Sequence, residues 1–344
     1  MRFAIVSDIH GNFPALNAVI DDAENNRVGG YIFTGDYCIS NPYPNECISR
    51  IRNLDQKYII RGNEEKYLEK LIGKDQSAWT DGQMQISYYC YQKICSENMN
   101  YLLSMPEQMQ IDVGGIVLHL AHSSEEFIAD CEHREWSTAK VAMKYRERWI
   151  TQAVLRSDIQ NYLNKDKQFQ EIVHQLEEGI YIFGHSHIQW NYQAEGGKKI
   201  LINPGSCGLP LDCIDTGIPY TILDISDRNR IVVEERRVSF PVDKYIEMIQ
   251  KSDQAVKANV WSKIIMKELK TKREHLYFFL RFAEEYAEQI GDVQRPFSVS
   301  TWNKAYELWE ANQGVWHHLT QLPMQIEYDD QAGNDELERS EENK

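Results

Sequence analysis

Over the first sixty residues, short apolar runs alternate with amphipathic stretches. Phe3–Val6, Tyr31–Phe33 and Tyr58–Ile60 are β-branched or aromatic runs of strand length, and Pro14–Asn25 and Asn45–Leu54 between them carry apolar residues at helical steps. The pattern predicts strands at Arg2–Ser7, Tyr31–Thr34 and Lys57–Ile60, with helices at Pro14–Asn25 and Asn45–Leu54. Such βα spacing, roughly thirty residues per repeat, predicts a parallel sheet with right-handed crossovers. Residues 64–104 read as helical, with Tyr67, Leu68, Leu71 and Ile72 as an apolar stripe. Met109–Val113 and Ile116–Ala121 flank Gly114-Gly115, a hairpin signal. Residues 125–178 return to a helical pattern with mixed charge, and form either a cap or an ordinary packed insertion.

Beyond the apolar run Ile180–Phe183, two further hairpins are expected: Ile188–Ala194 with Lys199–Ile202, and Tyr220–Ile225 with Ile231–Val238. These antiparallel strands are expected to build a second sheet against the first, giving an α/β/β/α sandwich. Asn203-Pro204-Gly205-Ser206 between them reads as a tight turn. From Pro241 the period becomes helical, over Lys244–Ile249, Ala255–Leu269, Arg273–Ile290 and Ser300–Asn312. Trp302, Trp309 and Trp316 recur every seven residues, nearly one helix face, which reads as core or as a self-association surface.

Polar residues sit where the strands end. Asp8-Ile9-His10, Gly35-Asp36, Gly62-Asn63, His122 and Gly184-His185-Ser186-His187 each follow an apolar run. Polar groups at successive strand ends are how an α/β sheet assembles a site along one rim. Asp8, Asp36 and Asn63 offer hard oxygens; His10, His122, His185 and His187 offer imidazole nitrogens. A mixed oxygen and imidazole set without cysteine suits Mn, Fe or Zn and not a thiolate structural zinc. Seven side chains are too many for one ion but suit two divalent transition-metal ions sharing a carboxylate. Two neighbours are further candidates with two readings each. Asn12 either positions a phosphate or caps the helix after it, and Arg61 either clamps a phosphate oxygen or is a surface charge. His119, three residues before His122, falls on the opposite strand face and reads as packed. His133, His174, His275 and His317-His318 have no partner motif.

The order Asp-x-His, Gly-Asp, Gly-Asn, His, Gly-His-x-His resembles the calcineurin-like metallophosphoesterases, in particular their compact bacterial branch. Ser7-Asp8-Ile9-His10-Gly11-Asn12 and Ile202-Asn203-Pro204-Gly205-Ser206 extend the resemblance, which covers about residues 1–240. It implies that Asp36 bridges two ions, with Asp8, His10 and His187 completing one site and Asn63, His122 and His185 the other. It also implies a hydrolase of phosphomonoesters or phosphodiesters, nucleotides and cyclic nucleotides included, that uses a metal-bridging hydroxide. A protein phosphatase and a non-catalytic scaffold of the same fold are the alternatives. One position departs from the family pattern: many relatives carry His after Gly-Asn, where this chain has Glu64. Glu64 is a candidate proton donor if its pKa is raised, and otherwise an acidic opening to a helix.

The resulting expectation is a catalytic domain over 1–240 with helical insertions at about 64–104 and 125–178. A helical extension over 241–328 and an acidic, disordered tail over 329–344 follow. The net charge is −15; the tail carries seven acids against Arg339 and Lys344, which leaves about −10 for the remainder. An acidic body argues against stable nucleic-acid binding, and a small phosphate ester is the expected partner. No run of eighteen apolar residues occurs, so no membrane span is expected. The chain opens directly on a strand, which gives no expectation of a signal peptide. Seven cysteines without a Cys-x-x-Cys point to a reducing, cytoplasmic setting.

Overall fold

The structure, a computed structural model, describes residues 1–146, 148–227 and 230–312. Its first third runs β1 (Arg2–Val6), α1 (Phe13–Asn25), β2 (Gly30–Phe33), α2 (Pro44–Arg52), β3 (Lys57–Ile59), α3 (Asn63–Lys70), α4 (Gln85–Lys93) and α5 (Ser96–Leu103). The hairpin β4 (Gln108–Val113) and β5 (Ile116–Ala121) follows. Next come α6 (Glu125–Ile128), α7 (His133–Trp136), α8 (Thr138–Tyr145), α9 (Gln152–Leu163) and α10 (Lys167–Gln175). The remaining strands are β6 (Gly179–Ile182), β7 (Gln189–Gln193), β8 (Lys199–Pro204), β9 (Ile218–Asp227) and β10 (Arg230–Val238). The chain then turns helical in α11 (Val242–Lys251), α12 (Gln254–Lys257), α13 (Asn259–Thr271), α14 (Leu276–Ile290) and α15 (Val299–Ala311).

Two five-stranded mixed sheets face each other, in the orders β10-β9-β1-β2-β3 and β4-β5-β6-β8-β7. Side-chain alternation explains the layering. On β1, Phe3 and Ile5 join Ile32, Leu118, Leu120, Ile180, Ile182, Ile200 and Ile202 between the sheets. Ala4 and Val6 on the same strand point outward to α1 and α2, against Leu16, Val19, Ile20 and Ile48. On β6, Tyr181 points outward to the insertion helices, among Leu155, Ile159 and Phe169. The result is the expected α/β/β/α sandwich.

The assignment of strands to sheets differs from the expectation. The β9–β10 hairpin extends the first sheet, with β9 antiparallel to β1 (Phe3 opposite Leu223), while β7 and β8 close the second. That second sheet is parallel at its centre, where β5, β6 and β8 pair in the same direction. Leu223 and Ile225 on β9 reach the same inter-sheet core as Phe3 and Ile5, and this burial fixes the pairing.

The C-terminal helices have their own core of Phe278, Phe279, Trp302, Ala305 and Trp309, which also takes in Ala139 and Ala142 of α8. A second contact buries Leu209 and Leu211, from the segment after β8, under Tyr245, Ile249, Ile265 and Leu269. Trp302 and Trp309 are fully buried, the core reading of that stripe. Trp316, His317-His318, the acidic tail and the turn Arg228-Asn229 lie outside the described residues. Helix α14 begins at Leu276 and not at Arg273, because Lys272 adopts a left-handed φ of 51° that ends α13. No helix among the described residues is long and apolar enough to cross a membrane.

Candidate metal centre

The strand ends converge as their order along the chain suggests. Three hydrogen bonds tie the β1 and β2 loops in register: Asp8 N–H to Gly35 O (3.1 Å), His10 N–H to Asp36 O (2.9 Å) and Gly11 N–H to Tyr37 O (2.9 Å). The third loop is anchored by Glu65, which is 1 % exposed. Its carboxylate accepts the N–H groups of Asp36 (3.0 Å), Tyr37 (2.9 Å) and Gly62 (2.8 Å). Asp36 Oδ1 in turn accepts Glu64 N–H at the start of α3 (3.0 Å). The Gly-His-Ser-His loop is held from β1, since both Asp8 carboxylate oxygens face His185 N–H at 3.2 and 3.0 Å.

These loops bring together two groups whose ligand atoms lie within 4.8 Å of one another: Asp8, His10 and His187, and Asp36, His122 and His185, with only His187 and His185 partly exposed. A third such group joins Asp36 to His10 and Glu64. Asn63 Oδ1 stands 2.9 Å from His122 Nε2, which is 3.3 Å from Asp36 Oδ2. All seven residues singled out at strand ends therefore meet in one place.

The orientation of the imidazoles is set from behind. His122 Nδ1 is 2.7 Å from Thr34 O, and His187 Nδ1 is 2.8 Å from Leu209 O. His10 Nδ1 faces Glu64 Oε1 at 2.9 Å. An oxygen acceptor behind Nδ1 fixes the proton there and turns the Nε2 lone pair inward, the arrangement of a metal-ligating histidine. His10 Nε2 and His187 Nε2 point at each other across 2.9 Å. Two nitrogens each about 2.0–2.1 Å from a shared ion, at near right angles, would stand about 3 Å apart. The donor set fits a cation.

Charge supports the same fit. Burial works to raise Asp8, but His187, His122 and His10 outweigh it and hold the carboxyl below its usual range. Asp36 is likewise lowered against its burial, by His122 and His10. Burial lowers His122, yet Asp36 and Asp8 lift it to about 10. Two carboxyls held low at one buried spot suit a divalent cation, whose binding needs them ionised.

Backbone conformation marks the site independently. Asp8 (φ 52°), His10 (52°), Asp36 (56°), His185 (71°) and His187 (56°) all adopt positive φ. Each such non-glycine residue costs on the order of 1–3 kcal/mol, and persists only where surrounding contacts impose it. Five of the seven candidate ligands share this strain. Gly62 and Gly184 give the side chains room: a β-carbon at Gly184 would lie 2.5 Å from Asp8 Oδ2.

The other candidates each engage partners within the protein. Asn12 Oδ1 accepts Ala15 N–H (3.2 Å) and its Nδ2 donates to Gly208 O (2.9 Å), so it caps α1 and clamps the segment after β8. Arg61 is drawn into ion pairs with Glu69 and Glu107, each at 2.8 Å, and its guanidinium is committed there. Glu64 is buried with both oxygens engaged, on His10 Nδ1 and on Ile39 N–H (2.9 Å). Burial, together with Asp36 and Glu65, pushes its pKa well up. His119 stacks on Tyr181 with centroids 4.5 Å apart, a packed histidine as alternation predicts. Glu65 was not singled out from the sequence, although Gly62 and Glu65 have the three-residue spacing of a helix capping box.

The sequence signature of the family described as Calcineurin-like phosphoesterase matches residues 1–189. Among relatives, an uncharacterized protein of Methanocaldococcus jannaschii, MJ0912, is 28% identical over 263 residues, covering 72% of this chain and 92% of that one. Among solved structures, a metallophosphoesterase from Sphaerobacter thermophilus is similar with a TM-score of 0.53 at 21% identity, over 79% of this chain and 99% of that one. The hypothetical protein PH1004 from Pyrococcus horikoshii OT3 is similar with a TM-score of 0.53 at 18% identity, over 77% and 97% of the two chains. At these identities the two structures speak for the fold.

Proposed function

The chain belongs to the calcineurin-like phosphoesterase family, and from that premise we propose a hydrolase of phosphate esters that works with two divalent transition-metal ions. Asp8, His10 and His187 would hold one ion and Asn63, His122 and His185 the other, with Asp36 within reach of both. The observation that carries this reading is the pair of triads, each with two buried members and one partly exposed histidine, with Asp36 grouped both with His122 and His185 and with His10. When bound, the ions act as Lewis acids on the phosphoryl oxygens and acidify the attacking water.

The protein's own groups set the geometry. Thr34 O, Leu209 O and Glu64 fix His122, His187 and His10 by accepting at Nδ1. Glu65 fixes the backbone of Asp36. Glu64 has the raised pKa a proton donor needs, but both its oxygens are engaged on His10 and Ile39, so we assign it to holding His10. Small phosphomonoesters or phosphodiesters, including nucleotides or cyclic nucleotides, are the substrate class.

The test is metal analysis of Mn-loaded protein combined with assays on an aryl phosphate and a bis-aryl phosphate. The wild type should retain close to two ions and cleave at least one ester. Asp36→Asn should lose roughly 100-fold or more in rate, as the shared anion that organises the electrostatics is gone. Normal turnover by Asp36→Asn in Mn would sink the two-ion reading.

A further inference from the structure

We infer that Glu132, contributed by the helical insertion, is a positioning residue for the loop that carries His185 and His187; this rests on the metal-centre reading above. Glu132 is 1 % exposed and bonds Trp190, whose ring packs on those of Trp136 and Phe183, so the carboxylate is buried beside an aromatic cluster, a costly place for a charge. Its Oε1 nevertheless receives three donors. They are Ser186 Oγ–H, Trp190 Nε1–H at 2.7 Å and Asn203 Nδ2–H at 2.9 Å. These partners lie 54, 58 and 71 residues further along the chain, so only the folded insertion brings the carboxylate to them.

Each donor belongs to the frame of the loop. Ser186 is the residue between the two histidines. Asn203 Nδ2 also reaches Gly184 O (2.9 Å) and Ser186 Oγ (3.0 Å), while its Oδ1 accepts Gly205 N–H (2.9 Å). Trp190 is the second residue of β7, the strand that follows the loop. Glu132 therefore ties the loop to β7 and β8 at a single oxygen.

The loop needs such a tie, because His185 and His187 hold φ of 71° and 56°. Neighbouring residues in that region stay there only when contacts on all sides impose it. Asp8 holds the His185 backbone and Leu209 O holds the His187 ring. Glu132 fixes the residue between them. A charged acceptor forms stronger, shorter bonds to such donors than a neutral one. The insertion thus completes the scaffold behind the metal centre and is not a detachable cap.

The experiment compares wild type, Glu132→Gln, Glu132→Ala and Ser186→Ala by Mn affinity in chelator competition, melting with and without Mn, and kcat and KM on an aryl phosphate. Glutamine keeps one acceptor oxygen and should stay within a few-fold of wild type in Mn affinity. Alanine should lose roughly 10- to 100-fold, the usual effect of removing a partner behind a ligand. Its kcat should fall further than its KM rises, and its metal-dependent gain in melting temperature should shrink. A purely structural role would lower the metal-free melting temperature and leave the affinity of the folded protein unchanged, which would overturn the inference. If Glu132→Ala does not fold, Ser186→Ala decides: it should lose several-fold in Mn affinity, and wild-type affinity there would equally overturn it. A wild type that binds no divalent ion overturns both readings; a wild type that binds Mn beside unperturbed variants overturns this one alone.

Discussion

Gly62→Ala tests whether the site is as tightly built as its geometry indicates. A β-carbon at Gly62 would lie 2.2 Å from Asp36 Oδ1, 2.8 Å from the Asp36 nitrogen and 2.9 Å from His122 Cε1. The Gly62 backbone, φ −100° and ψ −163°, is open to alanine, so the penalty is one of contact and not of conformation. The shortfall at Oδ1 is roughly 1.2 Å from the 3.4 Å at which ordinary contact begins. Asp36 cannot simply retreat: it is 3 % exposed, its N–H is held by Glu65, and Oδ1 accepts Glu64 N–H. Either those bonds give way or the carboxylate and His122 move by about 1 Å, a misplacement that can cost on the order of 100-fold in rate. Overpacking of this kind also destabilises by about 1–3 kcal/mol. Gly196→Ala is the control: its β-carbon would meet nothing within 4 Å, and its φ of +84° costs only local strain, about 1–2 kcal/mol. The measurements are Mn content, melting temperature and kcat/KM on an aryl phosphate. The Gly62 variant should lose metal and rate together, while the Gly196 variant keeps both. A Gly62→Ala protein with full metal and a rate within three-fold of wild type, by the same estimate, would refute the placement of Asp36 at the heart of the site.

Burial lowers Lys272 to about 8 from the 10.5 usual for a free lysine, and its Nζ is buried without a hydrogen-bond partner among the described residues. Below pH 8 the ammonium is charged in both states and the fold bears the full penalty. Between pH 8 and 10.5 the unfolded chain holds a proton that the folded one has released, so this group's contribution to stability rises with pH. Lys272→Met should therefore be more stable than wild type at pH 7, by roughly 3 kcal/mol at most, and chemical denaturation should show the gap closing above pH 8; a pH-independent gap would refute it. Ile249→Ala, at a fully buried position against Leu209 and Leu211, should destabilise by about 2–4 kcal/mol and weaken Mn binding through the Leu209 carbonyl that orients His187. Unchanged Mn affinity would show that the loop holds His187 without help from the C-terminal helices. Of the seven cysteines only Cys95 is exposed, so a thiol reagent on the native protein should modify it well ahead of the other six, as peptide mapping would show.

The strands and the rim were legible because both depend on local chemistry. Alternation at Phe3–Val6 assigns alternate residues to opposite faces, and the polar residue after each apolar run falls at a strand end by construction. Pairing between distant strands is another matter. The pattern of Tyr220–Ile225 is compatible with either sheet, and only the shared burial of Leu223 with Phe3 and Ile5 decides for the first. The C-terminal helices likewise read as an appended unit, yet they share a core with Ala139 and cover Leu209. Lys272, Arg273, Glu274 and His275 form a run that reads as solvated turn or helix, and all four are buried. Two of them take partners from elsewhere in the chain: the Arg148 carbonyl on Arg273 (2.7 Å) and the Thr138 hydroxyl on Glu274 (2.7 Å).

The same reasoning explains which parts of the candidate site stayed hidden. A ligand residue announces itself by type and place, but the groups that aim it do not. Glu65 and Glu132 are acids in helical stretches, indistinguishable by composition from the exposed Glu69 or Glu97. What separates them is three donors converging on each carboxylate, a property of the folded chain alone. Positive φ at five candidate ligands is equally invisible, since Asp and His tolerate that region without requiring it. The two facts are connected. Strained ligand loops persist only under contacts that impose the strain, and in this protein buried carboxylates from outside the ligand set supply part of those contacts, Glu65 on the Asp36 backbone and Glu132 on Ser186.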